Sequence, residues 1–256
     1  MKDSYLRARI ALLAWLAAIM GLSAVVPRFG QPPAYHQFAG DPAWAGIPHF
    51  WNVITNLPIG LAGLFGLWAL RQKGKVASSV ERAGFAAFFS MIVLAAFGST
   101  YYHLDPTTPR LYWDRVPIAL AIALLVAVNV AERLGPAWGL RLGAAWLAVG
   151  FTALTYWSRS EAQGAGDLRP YMAFQAASFG ALPLLWALTR ARHSHGSWYA
   201  WALACYALAL ACEHHDRPLY DLLGLGGHGI KHLLAAVAMG ILAGMVRRRA
   251  PLTPAR

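Results

Sequence analysis

The chain has 256 residues, of which 58% are hydrophobic and only 13% charged, with a mean hydropathy of +0.43. A soluble domain carries about 25% charged residues, so the composition excludes one and predicts an integral membrane protein. The net charge of +11 sits in small clusters between apolar runs, not on one extended face; it therefore argues against a nucleic-acid partner and reads as membrane topology.

Apolar runs near the ~20 residues that span a bilayer as helix predict helices at 10–27, 50–70, 83–103, 112–132, 139–157, 170–189, 198–213 and 228–247. Proline and glycine punctuate the breaks, from Pro27 to Pro33, at Gly74, from Pro106 to Pro109 and at Gly135-Pro136. The fold class is therefore all-α and polytopic. Residues 1–27 form an extra N-terminal transmembrane helix, 28–49 an outer loop, 50–247 a seven-helix core and 248–256 a cytoplasmic tail. The first run could be a cleaved leader, but about seventeen apolar residues exceed the usual ~7–15 of a signal peptide, and it reads as a retained helix. Cys205 and Cys212 lie two turns apart on one helix, about 10.5 Å, beyond disulfide reach, and read as packing thiols.

Alternate connections differ in charge. One side holds Lys2, Arg7, Arg9, Arg71, Lys73, Lys75, Arg82, Arg133, Arg141, Arg190, Arg192, Arg247, Arg248, Arg249 and Arg256. The other holds Arg28, Arg110, Arg115, Arg159, Arg169, Arg217 and Lys231. Fifteen against seven places both termini in the cytoplasm by the positive-inside rule. His36, His49, His103, His214, His215, His228 and His232 then fall on the outer side, and His193 and His195 on the inner.

Ionisable groups at the edges of spans are costly and mark function. His228 and His232 are four apart and share one helical face, the spacing used by zinc-binding helices. His103 ends another helix at the same level and completes a three-histidine set, an arrangement that leaves zinc one open position. Ser99 shares the face of His103 and can donate to a developing oxyanion. Asp114 returns to that level and can take a proton from water or orient a ligating histidine. Trp51, Asn52, Asn56, Tyr102, Glu213 and Asp216 are expected to wall the substrate pocket, with Glu213-His214-His215-Asp216 in a polar loop. Lys231 is expected to snorkel toward the interface.

Ser99-x3-His103, Asp114 eleven residues on, and His228-x3-His232 opening the last helix resemble the alkaline ceramidase family. That family belongs to a superfamily of seven-helix membrane hydrolases that includes the adiponectin-receptor-like proteins. Phe50-Trp51-Asn52-Val53-Ile54-Thr55-Asn56 resembles the F-W-N-x-x-S-N pattern of its first core helix. The resemblance covers about 49–247 and implies zinc at His103, His228 and His232, with Ser99 and Asp114 catalytic. It implies hydrolysis of a ceramide-like lipid amide by zinc-activated water, in sphingolipid or related lipid metabolism. His49 stands where calcium-binding members have Glu, and Asp41 is the lone acid from Tyr35 to Pro48, so no calcium is expected. The basic composition and extra helix resemble a bacterial branch, which implies the inner membrane with the site facing the periplasm. The lipid substrate and the membrane are the expected partners; no protein partner is legible. Two other readings are a zinc-stabilised receptor or lipid-binding protein without turnover, and a haem protein using His103 opposite one of the pair.

Overall fold

The computed structural model describes residues 2–72 and 74–252. Lys73 and Arg256, counted above, lie outside them, as do residues 253–256 of the expected tail. The helices are α1 (Lys2–Val25), α2 (Phe50–Ile54), α3 (Asn56–Ala69), α4 (Ser79–His103), α5 (Thr108–Leu134), α6 (Pro136–Ala162), α7 (Arg169–Leu188), α8 (Ser197–His214), α9 (Asp216–Leu223) and α10 (Gly227–Arg248). Among the described residues there is no named strand, and seven helical stretches are long and apolar enough to cross a membrane. The protein is an all-α polytopic membrane protein. The helix expected over 198–213 is present as α8 but is not among those seven, because Trp198, Tyr199, Glu213 and His214 dilute its ends. It nevertheless runs antiparallel beside α10. Trp198 packs on Gly244 near one end, and the Cys212 carbonyl lies against Gly227 at the other.

Two local expectations are corrected. The span over 50–70 is not one helix but breaks at Thr55, between α2 and α3. Pro58 causes it, since its ring nitrogen cannot donate to the Ile54 carbonyl four residues back. The polar stretch from Asp216 is not a loop but the short helix α9, braced by an Arg217–Asp221 pair at 2.9 Å.

Helix starts and stops follow local chemistry. Ser78 caps α4 by accepting from the Glu81 amide at 3.1 Å, while Glu81 reaches back to the Ala77 amide at 3.2 Å, a reciprocal arrangement that satisfies otherwise orphaned donors. Gly135, at φ 110°, ends α5 and lets Pro136 begin α6 at once. Beyond that turn Gly139 and Gly143 lie against Ala131 and Ala127, the small-residue contact by which membrane helices approach closely.

Helices α3, α4, α5, α7, α8 and α10 surround an internal cavity, with α6 packed on α5 and α1 on α7. Helix α1 is fastened through buried Ala8, Leu12 and Leu16 and a Trp15 indole bond to the Ala177 carbonyl at 2.9 Å. At one end of the bundle, buried Arg249 pairs with Glu132 and lies 3.9 Å from Glu81, beside His193. Burial, then the Arg249 guanidinium, lower the His193 pKa. A guanidinium already stands among these carboxylates, so they form a structural ionic knot tying the end of α10 to α4 and α5.

The opposite end is covered by residues 28–49, which fold back across the helix ends instead of looping free. The base of this cap is fastened by Leu168 N donating to the Phe29 carbonyl at 2.8 Å and Arg169 Nη1 to the Val26 carbonyl at 2.7 Å. Asp167 holds Arg169 in place, accepting from its Nε and Nη2 at 2.8 Å each, and Tyr156 adds a third bond at 3.1 Å. The Arg169 bonds hold the Asp167 carboxyl at about 2, below its ordinary 3.8. A depressed carboxylate stabilises the fold above its unfolded pKa, and that contribution disappears as pH falls through the folded value. Asp167→Asn is therefore expected to destabilise the protein by roughly 1–2 kcal/mol near neutral pH. Thermal unfolding in detergent should show a gap between variant and wild type that closes as pH drops from 5 toward about 2.

Candidate metal centre

Three elements converge under the cap. His103 is the last residue of α4, and His228 and His232 lie on one face of the first turns of α10. All three are buried, and one ring nitrogen from each lies within 4.8 Å of the others. His103 Nε2 and His228 Nε2 are 3.3 Å apart. Tetrahedral zinc with bonds of about 2.0–2.1 Å separates its nitrogen ligands by roughly 3.3 Å. The haem alternative needs a wider gap than this, since a macrocycle would have to lie between the two rings.

The far nitrogens decide which lone pairs face inward. Thr55 Oγ1 donates its one proton to the Trp51 carbonyl at 2.6 Å and lies 2.9 Å from His232 Nδ1. It must accept there, so His232 carries its proton on Nδ1 and turns an unprotonated Nε2 to the centre. His228 Nδ1 lies 3.3 Å from Glu213 Oε1, which assigns its proton in the same way. Outer acceptors of this kind orient metal-binding imidazoles and raise their basicity. His103 Nδ1 is buried without a protein partner.

Glu213 does more than hold His228. Its Oε1 also accepts from Lys231 Nζ at 2.5 Å and from the Tyr35 hydroxyl at 3.2 Å, joining α8, α10 and the cap. The expectation that Lys231 snorkels to the interface is corrected: Glu213 supplies a nearer partner, and Lys231 lines the cavity. Asp216 clips the other edge, accepting from Ala39 N at 2.7 Å and His228 N at 2.9 Å.

Ser99, Asp114, Lys231 and His232 form the polar head of the internal cavity. Ser99 and Asp114 meet because Gly98 has no side chain: a Cβ there would stand 2.5 Å from the Trp113 carbonyl. Asp114 Oδ1 is buried without a hydrogen-bond partner. One Asp114 oxygen therefore stands unpaired in this head, and the task of orienting the histidines falls to Thr55 and Glu213. Below this head the walls are apolar, reaching Phe88 on α4 and Leu242 on α10. Ser99 and Phe88 are eleven residues apart, about 16 Å along a helix.

None of the six residues expected to wall the pocket is among those lining this cavity. Trp51 is exposed on the bundle's outside. Asn52 donates to Asp41 at 2.5 Å, and Asn56 donates to the Asn52 carbonyl at 2.8 Å. Tyr102 bonds His36 at 2.9 Å beneath the cap. Glu213 and Asp216 act from behind the histidines. Burial raises the Asp41 pKa, opposed by His49 and by bonds from Asn52 and Trp51.

Sequence reasoning missed Phe38, whose ring lies 4.5 Å from that of His228 and 4.8 Å from that of His103. It seals the cluster on the cap side, and nothing in the surrounding residues signals it. Thr55 was visible within the Phe50-to-Asn56 stretch, next to the break that Pro58 enforces. A metal ion held by these histidines would bind about 10–100-fold more weakly in Thr55→Val and Glu213→Gln, which each remove an outer acceptor. Competition titration with a chromogenic chelator checks this.

Residues 51–251 match a family described as "Family of unknown function (DUF6962)". The match takes in the three histidines, Ser99, Asp114, Thr55 and Glu213, and leaves α1 outside. No curated protein matches the chain.

Proposed function

The chain belongs to the DUF6962 family, and we propose that it is a zinc-dependent hydrolase of ceramide-like lipid amides acting within the membrane. One observation carries the reading: three buried imidazoles gather around one point, and one of them, His232, opens onto the polar head of a long apolar cavity. Such a cavity suits an acyl chain, and the head suits the bond that joins the chain to its amine. Zinc held by His103, His228 and His232 would supply Lewis acidity at a carbonyl and a nucleophile at neutral pH.

The remaining groups have distinct tasks. Asp114, with its unpartnered oxygen, receives the proton of the attacking water and returns it to the leaving amine. The Ser99 hydroxyl donates to the carbonyl oxygen as charge develops there. Glu213 and Thr55 keep the imidazoles in register, and Phe38 keeps bulk water from the cap side. In the orientation favoured by the basic residues, this end faces outward, toward the periplasm of a bacterial inner membrane, and both termini are cytoplasmic. A second reading is a zinc-stabilised receptor or lipid-binding protein, and the closed Phe38 lid favours it; lipid turnover separates the two.

Elemental mass spectrometry of the detergent-purified protein is expected to find about one zinc per chain. The zinc should be lost in His228→Ala/His232→Ala and in His103→Ala. Asp114→Asn should keep the metal and lose about 10²–10⁴-fold in hydrolysis of N-acyl sphingoid bases. Metal retained in the histidine variants would overturn the assignment, and metal without turnover on any lipid amide would favour the receptor.

A further inference from the structure

A second cluster of interest lies at the other end of the bundle, away from the histidines. The last turn of α10 carries Arg247 and Arg248, both exposed. Each is held over an indole: the Arg247 guanidinium is 4.6 Å from the Trp68 ring centre, and that of Arg248 is 5.7 Å from Trp198. Stacking of this kind fixes a flexible cation in place and leaves its edge free to donate. Phe65, Trp198 and Gly244 complete a pocket around the two arginines, with no carboxylate in its lining. Gly244 matters here, because a Cβ would stand 3.1 Å from the Trp198 ring. Neighbouring Arg249 differs: it is buried and neutralised by Glu132.

The pocket does not stand alone. Trp198 also begins a groove on the bundle's lateral surface, lined by Trp201, Ala204, Cys205, Leu208 and Ile241. Trp201 is 67% exposed and Leu208 55%, so this wall faces the surroundings. From Trp198 to Leu208 the groove follows α8 for about 15 Å. A doubly cationic pocket at the end of the bundle thus shares Trp198 with an apolar furrow that runs along α8 toward the middle of the span.

We propose that this pocket and furrow bind one anionic phospholipid, its phosphate between Arg247 and Arg248 and an acyl tail along α8. The argument is charge complementarity joined to continuity. Basic pockets between membrane helices attract anionic headgroups at about 1 kcal/mol per basic residue, and the furrow adds apolar contact that a free phosphate cannot use. The site is independent of the histidine cluster and of any hydrolytic role.

The test is native mass spectrometry of the full chain in micelles holding equal amounts of phosphatidylglycerol and phosphatidylcholine. Wild type is expected to retain one phosphatidylglycerol in preference. Arg247→Gln/Arg248→Gln should reduce that preference about thirtyfold. Ala204→Trp, which fills the furrow and leaves the charges alone, should also reduce retention. Phosphatidylglycerol retained equally by the double variant would overturn the proposal, as would equal retention of both lipids by wild type. Displacement of the lipid by millimolar inorganic phosphate alone would overturn the tail's part in binding. An unchanged elution volume and thermal midpoint in detergent for both variants shows that they are folded.

Discussion

The carboxylate of Glu213 is the acceptor around which the capped end of the bundle is organised. Its Oε1 meets His228, Lys231 and Tyr35, so one oxygen links α8, α10 and the cap. In an apolar surrounding, a donor left without such a partner is costly, and this need determines how the three elements lie. Thr55 does the same for His232 on the opposite flank, using a hydroxyl that the Pro58 break makes available. His228 and His232 are thus gripped from behind, and their inward nitrogens owe their direction to these hydrogen bonds.

The two ends of the molecule use buried charge in opposite ways. At the capped end, polar groups are held apart with inward lone pairs and one bare carboxylate oxygen on Asp114. At the far end, the Arg249 guanidinium stands between the carboxylates of Glu81 and Glu132, and Tyr199 hands a hydrogen bond from the cavity's wall to Glu132 at 3.0 Å. Ions paired with one another serve as a fastener, while polar atoms left without partners have capacity to bind.

How much of this was legible in the sequence differs by scale. Long apolar runs and glycine-proline punctuation mark every major helix, because a lipid solvent forces the chain to satisfy its backbone locally. The four-residue spacing of His228 and His232 is likewise a local fact, and it places two rings together whatever the rest does. The Thr55 break was readable from Pro58 but was hidden by the apolar run around it. Partner choice is another matter. Lys231 turns inward to Glu213, and Asn52 to Asp41, because of how α10 and α2 are rotated against their neighbours. Phe38 lies sixty-five residues from His103, in a segment without periodicity, and only tertiary folding brings them together.

Phe38 also sets the direction of traffic. A ring laid over His103 and His228 closes the short route from the aqueous side, while the cavity beneath extends toward the hydrocarbon. A lipid ligand of the kind proposed would then reach the histidines by partitioning into the bilayer first. Its effective concentration would be a surface density, governed by the lipid's abundance in one leaflet and not by its solubility in water.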